Sequence, residues 1–310
     1  MDVNMKIAVI LVNYNGKQYN TACIDSLFAQ TLHSENSREI RVYVVDNASR
    51  DDSMQMIQEH FAGDGRIEAI FLDDNYGFSY ANNVGIRRAE EWGADYVLLL
   101  NNDTEADEDM MAQLIACAGR HPGSMIAPKI YYSDRRNVIW SAGGDVSPLI
   151  RKVRHIGIDQ EDQGQFDEER QIGFATGCCL LIPKAVLETA GNLDERFFLY
   201  YEDTEYSFRL RKLQIPVYYC PGARVYHKVG ASSKGADSPL CAYYIARNWL
   251  LCDRMYLGAA YPLFLLYFAV NRTICCMLWL LRGKRALVQA TCRGIRDHCR
   301  RKYGRAEYYH

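Results

Sequence analysis

The residues best suited to chemistry lie in short polar clusters, each placed directly after an apolar run. The densest is NNDT at 101–104, which follows YVLLL at 96–100. Asp103 offers a hard carboxylate, and Asn101 and Asn102 offer neutral oxygens or amide donors. Oxygen ligands of this kind suit Mg²⁺ or Mn²⁺ carrying a diphosphate. The structural alternative is a helix N-cap, with Asp103 or Thr104 starting a helix through 107–118. A second acidic cluster, Glu202-Asp203-Thr204-Glu205, opens a stretch that reads as a helix over 203–213. Adjacent carboxylates also favour the positive end of a helix, so that cluster too has a structural account.

The elements that must position these residues follow from the apolar runs. Residues 6–12 run into Asn13-Tyr14-Asn15-Gly16, 40–45 into Asp46-Asn47-Ala48-Ser49, and 67–72 into DDNYG at 73–77. Between them lie helical patterns: one with Cys23, Leu27 and Leu32 on a face, then 52–61 and 79–92. Strands alternating with helices predict a parallel α/β sheet with right-handed crossovers. In such sheets ligands bind beyond the carboxyl ends of the strands. All four polar clusters therefore converge on one edge, which solvated loops have no reason to do. No G-x-G-x-x-G follows the first strand and no G-x-x-x-x-G-K-[ST] occurs. Dinucleotide oxidoreductases and P-loop NTPases lose their usual support.

Composition narrows the class further. In 310 residues, 49% are hydrophobic and 24% charged, which supports a sizeable core and argues against disorder. A net charge of −2 argues against a general nucleic-acid binder. The 11 cysteines include the adjacent pairs Cys178-Cys179 and Cys275-Cys276 but no C-x-x-C, so neither a zinc site nor a disulfide framework is expected. Reduced thiols in a cytoplasmic protein are the simplest account. The opening MDVNMKIAVILVNYNG lacks the basic flank, apolar stretch and cleavage site of a signal peptide.

Read in order, VNYNG, VVDNASRDDS, NYGFSYANNVGI and LLLNNDT, then GFATGCCLLIPKAVLE, LDERFFLYYEDTEYSFRL and VYHKVGASS, resemble successive motifs of the family 2 glycosyltransferases. The resemblance covers residues 6–248 and is closest to the rhamnosyltransferase-like branch. It implies an α/β protein with the GT-A fold, a Rossmann-like mixed sheet flanked by helices. It also implies an enzyme that transfers a sugar, with inversion, from a UDP- or dTDP-linked donor to a saccharide or lipid-linked saccharide.

The resemblance assigns roles residue by residue. Asp46 reads the base, since a carboxylate accepts the N3–H of uracil or thymine and rejects cytosine; Val12, Asn13 and Tyr14 lie beside it. The structural alternative for Asp46 is an Asx turn. Asn75, Gly77, Asn82 and Asn83 belong to the nucleotide-sugar loop, with Gly77 permitting close backbone approach and Ser79 as the alternative helix cap. Asn102 and Gly177 join the same site, Gly177 from a small-residue run that otherwise reads as a tight turn. Asp103 matches the last aspartate of the family's metal-binding D-x-D motif, while Asn101 departs from its first. His227 completes the metal shell or contacts the diphosphate, with Lys228 or Lys234 neutralising phosphate charge. Asp203, beside Glu202, is the expected base that takes the acceptor proton. Phe197, Phe198, Tyr200 and Tyr201 offer apolar faces to sugar rings.

Residues 125–170 read as irregular, with a mobile polar loop at 159–170, and Trp140, Gly143 and Gly144 are expected to line an acceptor site. Gly230-Ala231-Ser232-Ser233 reads as a loop that closes over the donor. The catalytic domain is expected over 1–250 and a helical, apolar-then-basic extension over 251–310. Residues 258–281 are strongly apolar, but Pro262 and Asn271-Arg272-Thr273 interrupt them. An arginine in mid-membrane costs about 2.5–3.5 kcal/mol, so an interfacial helix or hairpin is expected rather than a span. Basic residues follow, and apolar next to basic suits an anionic membrane surface, here the inner face of the plasma membrane. The alternative is packing on the catalytic domain or at a homodimer interface. Two rivals to transfer stand: a nucleotidyltransferase, whose Gly-rich N-terminal signature is absent, and a catalytically silent nucleotide-sugar-binding protein.

Overall fold

The structure, a computed structural model, describes residues 5–31, 38–147, 152–229 and 238–308. Leu32, Lys234 and the expected closing loop at Gly230-Ala231-Ser232-Ser233 lie outside the described residues.

The first half alternates as expected: β1 (Met5–Asn13), α1 (Asn20–Phe28), β2 (Arg38–Asp46), α2 (Ser53–His60), β3 (Ile67–Phe71), α3 (Phe78–Trp92) and β4 (Tyr96–Asn101). β1 pairs in parallel with β2 and β4, and β2 with β3. The reason lies in β1 itself. Ile7, Val9 and Leu11 enter one core with Ile24, Leu27 and Leu114, whereas Ala8 and Ile10 enter another with Ile86 and Ala89. Alternate residues of a strand face opposite sides, so an unbroken apolar run is buried by helices on both faces.

The chain then runs through β5 (Thr104–Ala106), α4 (Met110–Arg120), β6 (Met125–Tyr132), β7 (Val138–Ser141), β8 (Gly144–Val146) and β9 (Val153–His155). After these come β10 (Gln160–Glu161), β11 (Arg170–Gln171), β12 (Cys179–Pro183), α5 (Lys184–Ala190), α6 (Glu202–Lys212) and β13 (Val217–His227). The main sheet orders β10-β7-β6-β12-β4-β1-β2-β3. β12 lies antiparallel to β4, so the sheet is mixed. Residues 125–170 are more ordered than expected. β6 is a buried strand whose main partner, β13, lies 92 residues downstream from Met125 to Val217, and local sequence cannot show that pairing.

Three helices close the chain: α7 (Pro239–Tyr256), α8 (Tyr261–Leu281) and α9 (Arg285–Cys299). The boundary expected at 250 falls inside α7, which continues unbroken for 18 residues. α9 lies so close to α7 that a Cβ at Gly294 would sit 2.4 Å from the Tyr243 carbonyl oxygen. Of the two forms expected for the apolar segment, helix or hairpin, the structure has the helix, and α8 runs unbroken through Asn271-Arg272-Thr273.

Candidate active site

The polar edge forms because strand register sets its residues side by side. Asn13 and Asp46 end adjacent parallel strands in register, and Asn13 Nδ2 donates to Asp46 Oδ1 at 2.7 Å. The same amide nitrogen reaches Ser49 Oγ and Ser53 Oγ at 3.0 and 2.8 Å. Asn13 Oδ1 accepts from Asn20 Nδ2 at 2.7 Å, and Asn20 Oδ1 accepts from Asn102 Nδ2 at 2.7 Å. A side chain at Gly16 would collide with this knot, 2.3 Å from Asn102 Nδ2. In place of the Asx turn expected as the alternative, Asp46 Oδ2 accepts from the N–H three residues on, that of Ser49, at 3.1 Å. A carboxylate carries about four acceptor sites, so these bonds orient Asp46 and leave it acceptor capacity. Tyr14 stands exposed just beyond, and Val12 is half-buried in β1.

The helix cap expected at Asp103 or Thr104 is not formed. Thr104–Ala106 instead makes β5, antiparallel to the end of β13, with Thr104 opposite His227. That pairing puts His227 Nε2 3.2 Å from Asp103 Oδ1, with both side chains buried. Oxygen and nitrogen ligands at about 2.1 Å around an octahedral cation would stand roughly 3 Å apart, so this spacing fits a shared Mg²⁺ or Mn²⁺. Two further buried atoms, Asn101 Oδ1 and His227 Nδ1, make no hydrogen bond among the described residues. The donor set of carboxylate, amide oxygen and imidazole suits such an ion. Trp140 packs its ring against His227, 4.7 Å between centroids. Lys228 pairs with Glu105 at 3.3 Å.

β12 carries the link to the second acidic cluster. Asn101 N–H donates to the Cys178 carbonyl at 2.9 Å, and Gly177 N–H donates to Asp203 Oδ2 at 3.1 Å. The Cys178 thiol is pushed well above its ordinary range, by burial first and then by the Asp103 charge, with Asp203 contributing. One thiol thus feels both carboxylates. The segments that carry Asp103 and Asp203, 100 residues apart in sequence, are thus joined through residues 177–178.

Three comparisons with known proteins bear on this geometry. Residues 8–191 match Glycosyl transferase family 2. The chain belongs to this family. It is 25% identical over 260 residues to the dTDP-rhamnosyl transferase RfbF of Shigella flexneri, covering 81% of each chain. It is 25% identical over 248 residues to the N-acetylglucosaminyl-diphospho-decaprenol L-rhamnosyltransferase of Mycobacterium tuberculosis, covering 73% of this chain and 79% of that one. Among solved structures it resembles GalNAc-T7 with UDP, GalNAc and Mn²⁺, with a TM-score of 0.67 and 13% identity. That likeness covers 96% of this chain and 56% of the other, and it shows the GT-A glycosyltransferase fold.

In this family 2 glycosyltransferase the acidic pair splits into two environments. Glu202 is buried, and Asp203 is partly open. Burial, and then the neighbouring Asp203 charge, push the Glu202 carboxyl up to about 8. Burial also raises Asp203, while hydrogen bonds from Gly177 N–H and Thr204 N–H oppose the rise. The two adjacent carboxyls therefore titrate as one coupled pair, each pushed upward first by burial. The backbone just before them is unusual: Tyr200 and Tyr201 have φ of 66° and 74°, a left-handed region that bulky residues avoid.

A residue that sequence reading missed holds this turn. Asn248, buried in α7, donates its amide hydrogens to the carbonyls of Leu199 and Tyr200 at 3.0 and 2.8 Å. The C-terminal helices thereby support the turn that precedes Glu202 and Asp203. Asn248→Ala leaves two buried carbonyls without that donor and is expected to cost about 1–3 kcal/mol, read by chemical denaturation, together with a fall in turnover.

Several expected ligand contacts are instead internal supports. Asn83 donates to the Leu193 carbonyl and to Glu195, and accepts from Leu193 N–H, so its amide ties down the 193–195 segment. Asn82 is buried and donates back to the Phe78 carbonyl within α3. The close approach at Gly77 comes from Phe198, not from a ligand. Gly77 has φ 93°, and a Cβ there would lie 2.5 Å from the Phe198 carbonyl oxygen. Ser79 does not cap α3; its hydroxyl donates to the Phe197 carbonyl. Phe197 is fully buried and Phe198 stacks on Tyr244, so these aromatics seat α7 rather than face a sugar. Where a side chain would stand at Gly143 and Gly144, Ile172 and Phe174 pack instead. Asn75 Oδ1 accepts from Asn47 Nδ2 and Gly77 N–H, so Asn47 ties the segment after β2 to the 75–77 loop.

Proposed function

We infer that this glycosyltransferase takes its sugar from a UDP- or dTDP-linked donor, with dTDP-rhamnose the favoured candidate. The acceptor is a saccharide or lipid-linked saccharide in surface polysaccharide synthesis, and the anomeric centre is inverted. The observation that carries this reading is the join between the two acidic clusters, where Asn101 N–H bonds the Cys178 carbonyl and the neighbouring Gly177 N–H bonds Asp203. Asp46, oriented by Asn13, accepts the base N3–H, and Asp203 takes the proton of the attacking hydroxyl. Asp103 and His227 hold the cation. A bound Mg²⁺ or Mn²⁺ offsets the charge that builds on the leaving diphosphate. The name of the Shigella flexneri relative supports a dTDP-rhamnose donor, and that of the mycobacterial relative supports a lipid-linked acceptor. All eleven cysteines are free thiols, in keeping with a cytoplasmic setting.

The test is a thermal-stability panel of nucleotide-sugars with and without Mg²⁺ or Mn²⁺, followed by nucleotide release with a saccharide acceptor. A donor at a hundred times its Kd stabilises by about 2.7 kcal/mol, a rise of several degrees in Tm. The expected result is a metal-dependent rise with one UDP- or dTDP-sugar that Asp46→Ala removes. Binding without turnover on any acceptor would favour a silent binding protein, and a product of retained configuration would overturn the inverting assignment.

A further inference from the structure

α8 is apolar on the side that faces away from the protein. At about 100° per residue, Leu263, Leu266, Val270, Ile274, Met277 and Leu281 fall within one stripe along the helix. Each of the six is between 48% and 85% exposed. Six large aliphatic side chains in one continuous exposed line form the kind of patch that marks an interaction surface.

The opposite side explains why the helix stays in place. Phe264 and Phe268 are buried against Trp249, Ala246 and Leu250 of α7. Arg272 lies half a turn from the stripe, with its guanidinium 5.5 Å from the Trp249 ring centroid. The arginine that interrupts the apolar sequence is thus turned inward, and the outward stripe carries no charge. Gly258–Leu281 is long and apolar enough to cross a membrane. Doing so would strip Phe264, Phe268 and Arg272 from α7, leaving the arginine in hydrocarbon. Lying flat keeps those contacts and buries only the stripe.

Charge identifies the surface that covers it. From 254 to 296 the chain has seven basic residues and no acidic one, whereas the remainder has 29 basic and 38 acidic. Arg254, Arg282 and Arg285 of that segment are exposed. An apolar stripe flanked by cations, on a protein otherwise acidic, matches a bilayer of anionic lipid, where each nearby Lys or Arg contributes about 1 kcal/mol. A second copy of the chain would bring the same exposed cations, Arg282 and Arg285, against these. We propose that α8 docks this glycosyltransferase flat onto an anionic membrane surface, its stripe among the acyl chains and Arg282 and Arg285 at the headgroups. This proposal is independent of donor chemistry, so its failure would leave the transfer assay untouched.

The test is co-sedimentation of the full chain with phosphatidylcholine vesicles, with and without phosphatidylglycerol. The wild type is expected to bind the anionic vesicles and to be released by an alkaline carbonate wash. Leu266→Glu with Ile274→Glu, both at exposed positions, should weaken binding at least about tenfold with an unchanged Tm. Arg282→Glu with Arg285→Glu should lose the preference for anionic lipid. Equal binding by the stripe variant would overturn the proposal. Retention through the carbonate wash would do so in favour of a spanning helix. A wild type that ignores vesicles but forms a dimer dispersed by the stripe variant would do so in favour of a second copy.

Discussion

Asp203→Asn is expected to lower sugar transfer by about 10²–10⁴-fold, the usual contribution of a positioned general base. Donor binding should stay within a few-fold of wild type, because Asn keeps the size of the side chain and its oxygen still accepts from Gly177 N–H. Only the proton-accepting charge is lost. Turnover and donor-induced Tm shift, measured on the same preparation, separate the two effects; transfer at the wild-type rate would exclude Asp203 as the base. The pH dependence follows from the same pair. Burial raises Asp203, so activity should climb along an acid limb that lies above the ordinary carboxylate range. Glu202 adds a stability signature. Its folded value of about 8 lies above its ordinary 4.5, so the stability it contributes is complete below about 4.5 and is lost as pH rises through 8. Glu202→Gln, which stays neutral throughout, should flatten the fall in Tm between those limits, and an undiminished fall would refute the protonated Glu202.

Asp103→Ala is expected to be nearly as damaging by a different route. It removes the only carboxylate in the proposed cation site, where metal stabilisation of leaving-group charge is worth several kcal/mol. At tenfold per 1.4 kcal/mol, that is about a thousandfold in rate. Unlike Asp203→Asn, it should also abolish the metal-dependent part of the donor-induced Tm shift, while His227→Ala weakens it less because a neutral imidazole carries no charge to lose. A metal-dependent shift that survives Asp103→Ala would remove Asp103 from the site. The contrast is diagnostic: one aspartate acts on the rate alone, the other on binding and rate together.

Local sequence made the core of the fold legible. Residues 6–12, 40–45 and 96–100 are unbroken apolar runs of strand length, and each is buried on both faces as β1, β2 and β4. The motifs after those strands led to the family, and through it to Asp46, Asp103, Asp203 and His227, all of which the structure gathers at one edge of the sheet. The supports were not legible. Asn20, Asn47 and Asn248 carry no local pattern, since any buried asparagine needs partners and the partners here come from distant strands and helices.

The chain by itself thus determined the strand–helix alternation, the polar edge and the identity of its acidic groups, because periodicity and turn chemistry act over a few residues. Tertiary structure alone decided which of those groups meet. β5 has only three residues and no signature, yet its pairing with β13 is what carries His227 to Asp103. The upward shift of Glu202 comes first from burial, which only the fold imposes, and then from the adjacent Asp203 charge. The side of α8 that faces outward was likewise set by α7, whose Trp249 holds Arg272 inward. Pairing, desolvation and helix orientation depend on contacts between residues far apart in the chain, and those contacts exist only once it has folded.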